Sequence, residues 1–292
     1  MVLELDAELE SVDRHLVHRA ALSEVFVEGS RALSQERFYL QAQWPRRHYF
    51  FDMESGSVDL LLVAETLRQA TILVAHRYFD VPMTDVFLMR GMTVELTGST
   101  LPATFSPYAV EIDVRVTSVK SGSRGLTALH TDLSFRHEGV VIAEGSGDLQ
   151  ILEARLYGRM RPASRRSHEL PLSPRPQELN RGLLLTPDTV HADAWQLHID
   201  HRHPVFFDHP LDHVPGMVII EAVRQLVSAP HGPTSPLRYF AGVFTAFLDL
   251  DSPVQIQSTE TGPTGSNLLI EDDQRNFVVT QGGQRAATLI GA

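Results

Sequence analysis

Cysteine is absent from the 292 residues. Disulfides, thiolate nucleophiles and cysteine-based zinc sites are excluded with it. Long apolar runs are missing too: none reaches the roughly 18 residues that a membrane span needs. Mean hydropathy is −0.08, and no membrane partner is expected. The opening MVLELDAELESVDRH is acidic and has no long apolar core, so it is not expected to be a signal peptide, and a cytoplasmic location is expected. Positive charge is scarce. The 25 Lys and Arg face 36 Asp and Glu, for a net charge of −11. That balance lacks the basic face of a nucleic-acid binder, and no nucleic-acid partner is expected. What is present, 43% hydrophobic residues, suffices for one large domain or two ordinary ones.

The chain repeats itself. Phe50-Phe51-Asp52 recurs as Phe206-Phe207-Asp208, and at the same offset Glu65 falls on Glu221, Arg68 on Arg224 and Gln69 on Gln225, with no gap. Arg46 also falls on Arg202, and Val58 on Val214. Matches at fixed spacing point to duplication rather than to two unrelated helices. Between the blocks, residues 153–178 are rich in Pro, Arg and polar side chains, a linker composition. The expected organisation is a first domain over 1–152, an Arg/Pro-rich linker over 153–178 and a second domain over 179–292. The linker arginines, including Arg161, Arg165 and Arg166, read as a solvated stretch. A dock for an acidic partner is the alternative.

Each repeat runs in the same order. A strand-like segment (37–44, then 195–201) leads into the Phe-Phe-Asp block, and a strongly apolar helix follows (58–76, then 215–229). Strand-like runs come after it: 108–120, 126–136 and 140–152 in the first repeat. In the second they lie near 238–250, 254–258, 267–271, 276–280 and 285–290. Pro215 suits a first helical turn, and Pro230 stops the helix. A helix apolar on nearly every side must be enclosed by protein. Antiparallel strands curling around it give an α+β fold of the hotdog type, here in tandem. A doubly wound α/β fold is disfavoured, because helices do not alternate with strands.

Glu65, Arg68 and Gln69 share one helix face, as do Glu221, Arg224 and Gln225. Ionisable groups on apolar helices are costly unless paired or facing a cavity. A buried structural Glu–Arg pair and a functional cleft are both open for the first repeat. For the second, function is favoured, because Asp208, His209, Asp212, His213 and Gly216 converge just before the helix. Gly216 allows close approach of a ligand. The amides of the helix start can polarise a carbonyl oxygen, and a base such as Glu221 or His209 can activate a hydroxyl. The alternative for Asp208 and Asp212 is a capping or turn role. His198, His201, His203, His209 and His213 do not follow a zinc signature, and neither a catalytic metal nor a cofactor is expected.

The block FFDHPLDHVPGMVIIEAVRQ resembles the motif of β-hydroxyacyl-carrier-protein dehydratases, in which a catalytic His precedes a Pro-Gly helix start and an acid follows in the helix. On that match Glu221 takes the place of the acid and His209 that of the His. Through VHRAALSEVFV (17–27), VAETLRQATILVAHRYFDVP (63–82) and HPVFFDHPLDHVPGMVIIEAVRQ (203–225), both halves resemble the A-factor biosynthesis hotdog (AfsA-like) family of actinomycetes. The resemblance implies acyl transfer from a β-ketoacyl carrier protein to a hydroxyl of dihydroxyacetone phosphate, towards a butenolide or γ-butyrolactone signal. It implies that Glu65, Glu221 and Arg224 matter. Its partners would be an acyl carrier protein and dihydroxyacetone phosphate, with association of two chains left open. Glu221 would take the hydroxyl proton, the helix start at Gly216 would polarise the carbonyl, and Arg224 would bind phosphate or hold Glu221. In the first repeat Met53 replaces His209 and Asp59-Leu60 replaces Pro215-Gly216, so the two sites are expected to be unequal. A hotdog dehydratase or thioesterase, or a non-catalytic binder of acyl or butyrolactone ligands, are the alternatives.

Overall fold

A computed structural model describes residues 9–51, 56–98, 100–161, 164–171, 184–228, 237–259 and 274–292. Asp52, Met53, Pro230, the run at 267–271 and residues 172–178 of the expected linker lie outside the described residues. The chain forms two compact units, one of residues 1–88 and 95–157 and one of residues 89–94 and 158–292.

In the first unit the strands β1 (Glu10–Ser11), β2 (Val27–Ala32) and β3 (Arg37–Trp44) precede the helix α1 (Leu60–Tyr78). Strand β4 (Val86–Leu96), whose residues 89–94 count with the second unit, follows in the chain, then β5 (Tyr108–Gly122), β6 (Gly125–His137) and β7 (Val140–Leu152). The order β1-β2-β3-β5-β6-β7 is antiparallel throughout. Period-two patterning sets the inner face: Phe38, Leu40, Ala42 and Trp44 of β3 are buried with Tyr108, Val110, Ile112, Val114 and Val116 of β5. Asp59 starts α1 by accepting from the Leu61 amide at 2.8 Å, an N-cap. Of the helix's 19 residues 16 are buried, as a helix apolar all round requires. Trp44 satisfies its indole N–H on Thr66 Oγ1 at 2.9 Å, and Thr66 donates back to Leu62 O at 2.7 Å.

In the second unit β8 (Leu185–Pro187) and β9 (Ala194–Leu197) precede the helix α3 (Gly216–Ser228). Strands β10 (Tyr239–Phe244), β11 (Val254–Thr259), β12 (Arg275–Gln281) and β13 (Gln284–Gly291) follow. The order β10-β13-β12-β11-β9-β8 is again antiparallel. Phe240, Ile256, Phe277, Val279 and Leu289 are fully buried beneath it. Arg275 Nη1 donates to Leu226 O at 2.5 Å, meeting a carbonyl in the last turn of α3.

Both helices settle against a glycine in the final strand of their unit. A Cβ at Gly147 of β7 would lie 3.2 Å from Leu67, and one at Gly291 of β13 only 2.6 Å from Val223 Cγ1 and 3.1 Å from Val227. Missing side chains set how deeply α1 and α3 sink.

The stretch read as a linker holds regular structure among its described residues. Helix α2 (Ala154–Met160) and a 3-10 turn at Ser167–Glu169 lie inside it. Ser167 is buried, takes Leu211 O through its amide at 2.6 Å, and accepts from the Leu211 amide at 3.2 Å. Arg165 meets Asp251 at 3.3 Å. Composition hid these pairings, because the partners, the Leu211 backbone and Asp251, lie 44 and 86 residues further on. Strand 195–201 is shorter than expected, at Ala194–Leu197.

Candidate functional site

The two Glu–Arg–Gln trios hold different surroundings. Glu65 is fully buried. Its Oε1 takes Arg19 Nε (3.0 Å), Arg68 Nη2 (2.8 Å) and Gln69 Nε2 (2.8 Å), while Oε2 takes Arg68 Nε (2.9 Å). Arg19 Nη2 adds a further contact at 2.8 Å. Burial pushes the Glu65 carboxyl up, but the guanidiniums of Arg19 and Arg68 and the Gln69 amide outweigh it and hold it at about 2. Gln69 also staples the chain leading into β2, accepting from Phe26 N at 2.9 Å and donating to Glu24 O at 2.7 Å. The buried ion pair, one of the two readings open from sequence, is present in this geometry. Its second cation, Arg19, was not singled out by sequence. It sits 46 residues before Glu65, and only the need of a buried carboxylate for charge compensation pointed to one.

Glu221 is 2% exposed. Arg224 grips it with both arms of its fork, Nε to Oε2 at 2.6 Å and Nη2 to Oε1 at 2.7 Å, and Gln225 Nε2 reaches Oε1 at 2.7 Å. Bidentate geometry of this kind is the strong form of an ion pair. Gln225 Oε1 accepts from Leu184 N at 2.9 Å, just before β8, repeating the staple made by Gln69. The Arg224 side chain is 30% exposed, against 22% for Arg68.

Ahead of α3, residues 207–215 carry the other sequence candidates. Asp208 Oδ1 accepts from His209 Nδ1 at 2.5 Å, and Asp212 Oδ1 from His213 Nδ1 at 2.7 Å. Gly216 is exposed at the first turn of α3, with the Phe244 ring 3.9 Å from where a Cβ would stand. Arg161 holds the loop from outside: it donates to Asp212 O at 2.6 Å, reaches Asp249 at 2.7 Å and lies over the Phe247 ring at 4.7 Å. Sequence reading gave Arg161 no role beyond the linker. A cavity of about 250 Å³ beside it is lined by Arg161, Ser164, Arg165, Asp212, Asp249 and Asp251, among others.

The internal repeat is also finer than its first reading. His48 Nδ1 accepts from Phe51 N at 3.3 Å and stacks on that ring. His203 does the same to Phe206, with the amide at 3.3 Å and the rings at 4.3 Å. The repeated local unit is therefore His-x-x-Phe, which aligns Phe51 with Phe206 rather than with Phe207. One residue more separates this turn from the helix in the second repeat, so the turn recurs one register away from the gapless Phe-Phe-Asp identity.

Comparison with known proteins agrees with this architecture. A sequence profile of the A-factor biosynthesis hotdog domain matches residues 3–153 and 182–290. A Streptomyces virginiae protein named 2-oxo-3-(phosphooxy)propyl 3-oxoalkanoate synthase is 36% identical over 88% of this chain and 90% of its own length. One of the same name from Streptomyces coelicolor is 30% identical over 84% of this chain and 80% of its own. Among solved structures, an acyl-ACP thioesterase from Bacteroides thetaiotaomicron superposes with a TM-score of 0.55 at 12% identity, covering 89% of this chain and 99% of that one. The 12:0-ACP thioesterase from Umbellularia californica gives 0.50 at 12%, covering 89% and 98%. These two share the hotdog fold, and the sequence matches are of another order: the chain belongs to the A-factor biosynthesis hotdog family.

Proposed function

We propose that this chain is an acyltransferase that joins a β-ketoacyl thioester to dihydroxyacetone phosphate. The observation that carries the reading is the 36% identity, spanning 88% of the chain, to a synthase whose named product is a 3-oxoalkanoate ester of a 2-oxo-3-phosphooxypropyl group. Taken apart at its ester bond, that product gives a 3-oxoacyl group and dihydroxyacetone phosphate. Further chemistry would carry the ester to a butenolide or γ-butyrolactone-type signal. An acyl carrier protein is the proposed donor, and the cytoplasm, where acyl thioesters and triose phosphates are made, the proposed location. The proposed organisation keeps a first hotdog domain over 1–152 and a second over 179–292.

The site is placed at the start of α3. There the first-turn amides at Gly216 polarise the thioester carbonyl. Arg224, fixed on Glu221, offers the guanidinium face suited to a phosphate. Asp208 and Gln225 hold the groups that meet the substrates, His213 braces the loop beside them, and Glu221 and His209 are the two groups able to accept the hydroxyl's proton. In the first unit Arg68 and Gln69 close on Glu65 together with Arg19, and that cluster supports the fold instead of meeting substrate.

The test is incubation of the purified chain with a β-ketoacyl carrier-protein thioester, with and without dihydroxyacetone phosphate, followed by mass spectrometry. Formation of the phosphorylated ester only with the acceptor supports the reading. Hydrolysis that ignores the acceptor would instead make the chain a thioesterase, and tight binding without turnover would make it a ligand-binding protein.

A further inference from the structure

Two Asp–His pairs stand side by side before α3, and they are held differently. Asp212 is shared: His213 Nδ1 takes one oxygen at 2.7 Å, while Arg161 Nε approaches the other at 3.6 Å and Arg161 Nη2 bonds the Asp212 carbonyl at 2.6 Å. The His213 ring is set edge-on to Phe247 at 5.2 Å. That pair belongs to the scaffold of the loop.

The first pair has the opposite profile. The Asp208 side chain is 1% exposed, and that of His209 is 37% exposed. Asp208 Oδ1 accepts from His209 Nδ1, and no described residue meets His209 Nε2. A carboxylate on Nδ1 fixes which ring nitrogen carries the proton and leaves the Nε2 lone pair for a substrate. Glu221, the other candidate to take the proton, is buried, with donors at 2.6 to 2.7 Å on both oxygens.

We propose that His209 moves the proton in ester formation and that Asp208 is its positioning residue. The inference rests on the acyl-transfer reading above. A hydroxyl oxygen of dihydroxyacetone phosphate attacks the thioester carbonyl carbon. A C–O bond forms, and the hydroxyl's proton passes to His209 Nε2. The tetrahedral adduct then collapses. The C–S bond breaks, its electron pair leaves on sulfur, and the sulfur takes the same proton back from His209 to depart as a thiol. Asp208 holds the imidazole in one tautomer and steadies its positive charge between the two transfers.

The experiment uses the full chain with β-ketooctanoyl-coenzyme A and dihydroxyacetone phosphate. His209→Ala is expected to lower kcat about 10²- to 10⁴-fold with KM changed by less than about threefold and the melting temperature held. Added imidazole is expected to restore part of the rate to this variant alone. Asp208→Asn is expected to lower kcat about tenfold or more, again with little change in KM, and imidazole does not rescue it. Wild-type kcat in His209→Ala overturns the proposal, and since that side chain is partly exposed the variant should fold. A loss in Asp208→Asn that appears in KM or melting temperature rather than in kcat overturns the positioning role. If the wild-type chain hydrolyses the thioester without forming ester, the acyl-transfer reading fails. The same variants scored on hydrolysis then still decide the role of His209, because unchanged hydrolysis by His209→Ala would overturn it.

Discussion

Replacing Glu65 by Gln should destabilise the first unit in a way that depends on pH. The native carboxyl titrates at about 2, against 4.5 for an unperturbed glutamate. At about 1.4 kcal/mol per pH unit, this gap makes the ionised Glu65 worth about 3 kcal/mol to the folded state. Removing one member of a buried pair costs about 3–5 kcal/mol by a separate route, because the remaining charges are left uncompensated. Here those charges are Arg19, 6% exposed, and Arg68. The two figures agree, and either is a large share of the 5–15 kcal/mol that holds a typical domain together. The depressed pKa fixes the sign. The contribution is complete above pH 4.5 and is lost as pH falls through about 2. Urea unfolding of wild type and Glu65→Gln, followed by circular dichroism, should show a gap of about 3 kcal/mol near neutral pH that narrows below about pH 4. A variant within about 1 kcal/mol of wild type at neutral pH, or a gap that stays constant into acid, would refute the ion-pair account of this cluster.

Gly291→Ala should cost about 1–3 kcal/mol by overpacking α3, whereas Gly158→Ala on α2, with nothing within 4 Å of the new Cβ, should raise stability by up to about 1 kcal/mol; melting curves of both decide it. Glu221→Ala should abolish ester formation while circular dichroism stays native, and near-normal turnover would remove Glu221 from the site. Arg224→Lys should lower kcat/KM about tenfold or more, because a point charge cannot make two parallel bonds to Glu221; a full-rate variant would show that the fork is dispensable. Arg161→Met should speed hydrogen exchange in residues 207–215, since the bond to Asp212 O is lost, and unchanged exchange there would show that the loop is held by other means.

Much of the fold was legible because the signals were local. The apolar helix read over 58–76 is α1 at Leu60–Tyr78, and 140–152 is β7 to the residue. Strand β2 escaped, because VEGSRA carries a glycine and three polar residues and lacks a clean alternation. At the site, the spacing of Glu221, Arg224 and Gln225 placed them on one helical face, which the bonds between them bear out. Arg19 and Arg161 were invisible, because each completes a cluster from 46 or more residues away. The His-x-x-Phe turn was missed for another reason. The Phe-Phe-Asp match one register away has more identical letters, and a ring-nitrogen acceptor leaves no mark in residue identity.

The notch at Gly291 ties mechanical strength to chemical competence. Val223, which fills it, is two residues from Glu221 on a rigid rod only 13 residues long. One methyl added to the strand would press on the valine, and through it on the rod that carries the carboxylate. A position with no functional atom of its own, paired across the strands with Arg275, therefore bears on where the carboxylate stands.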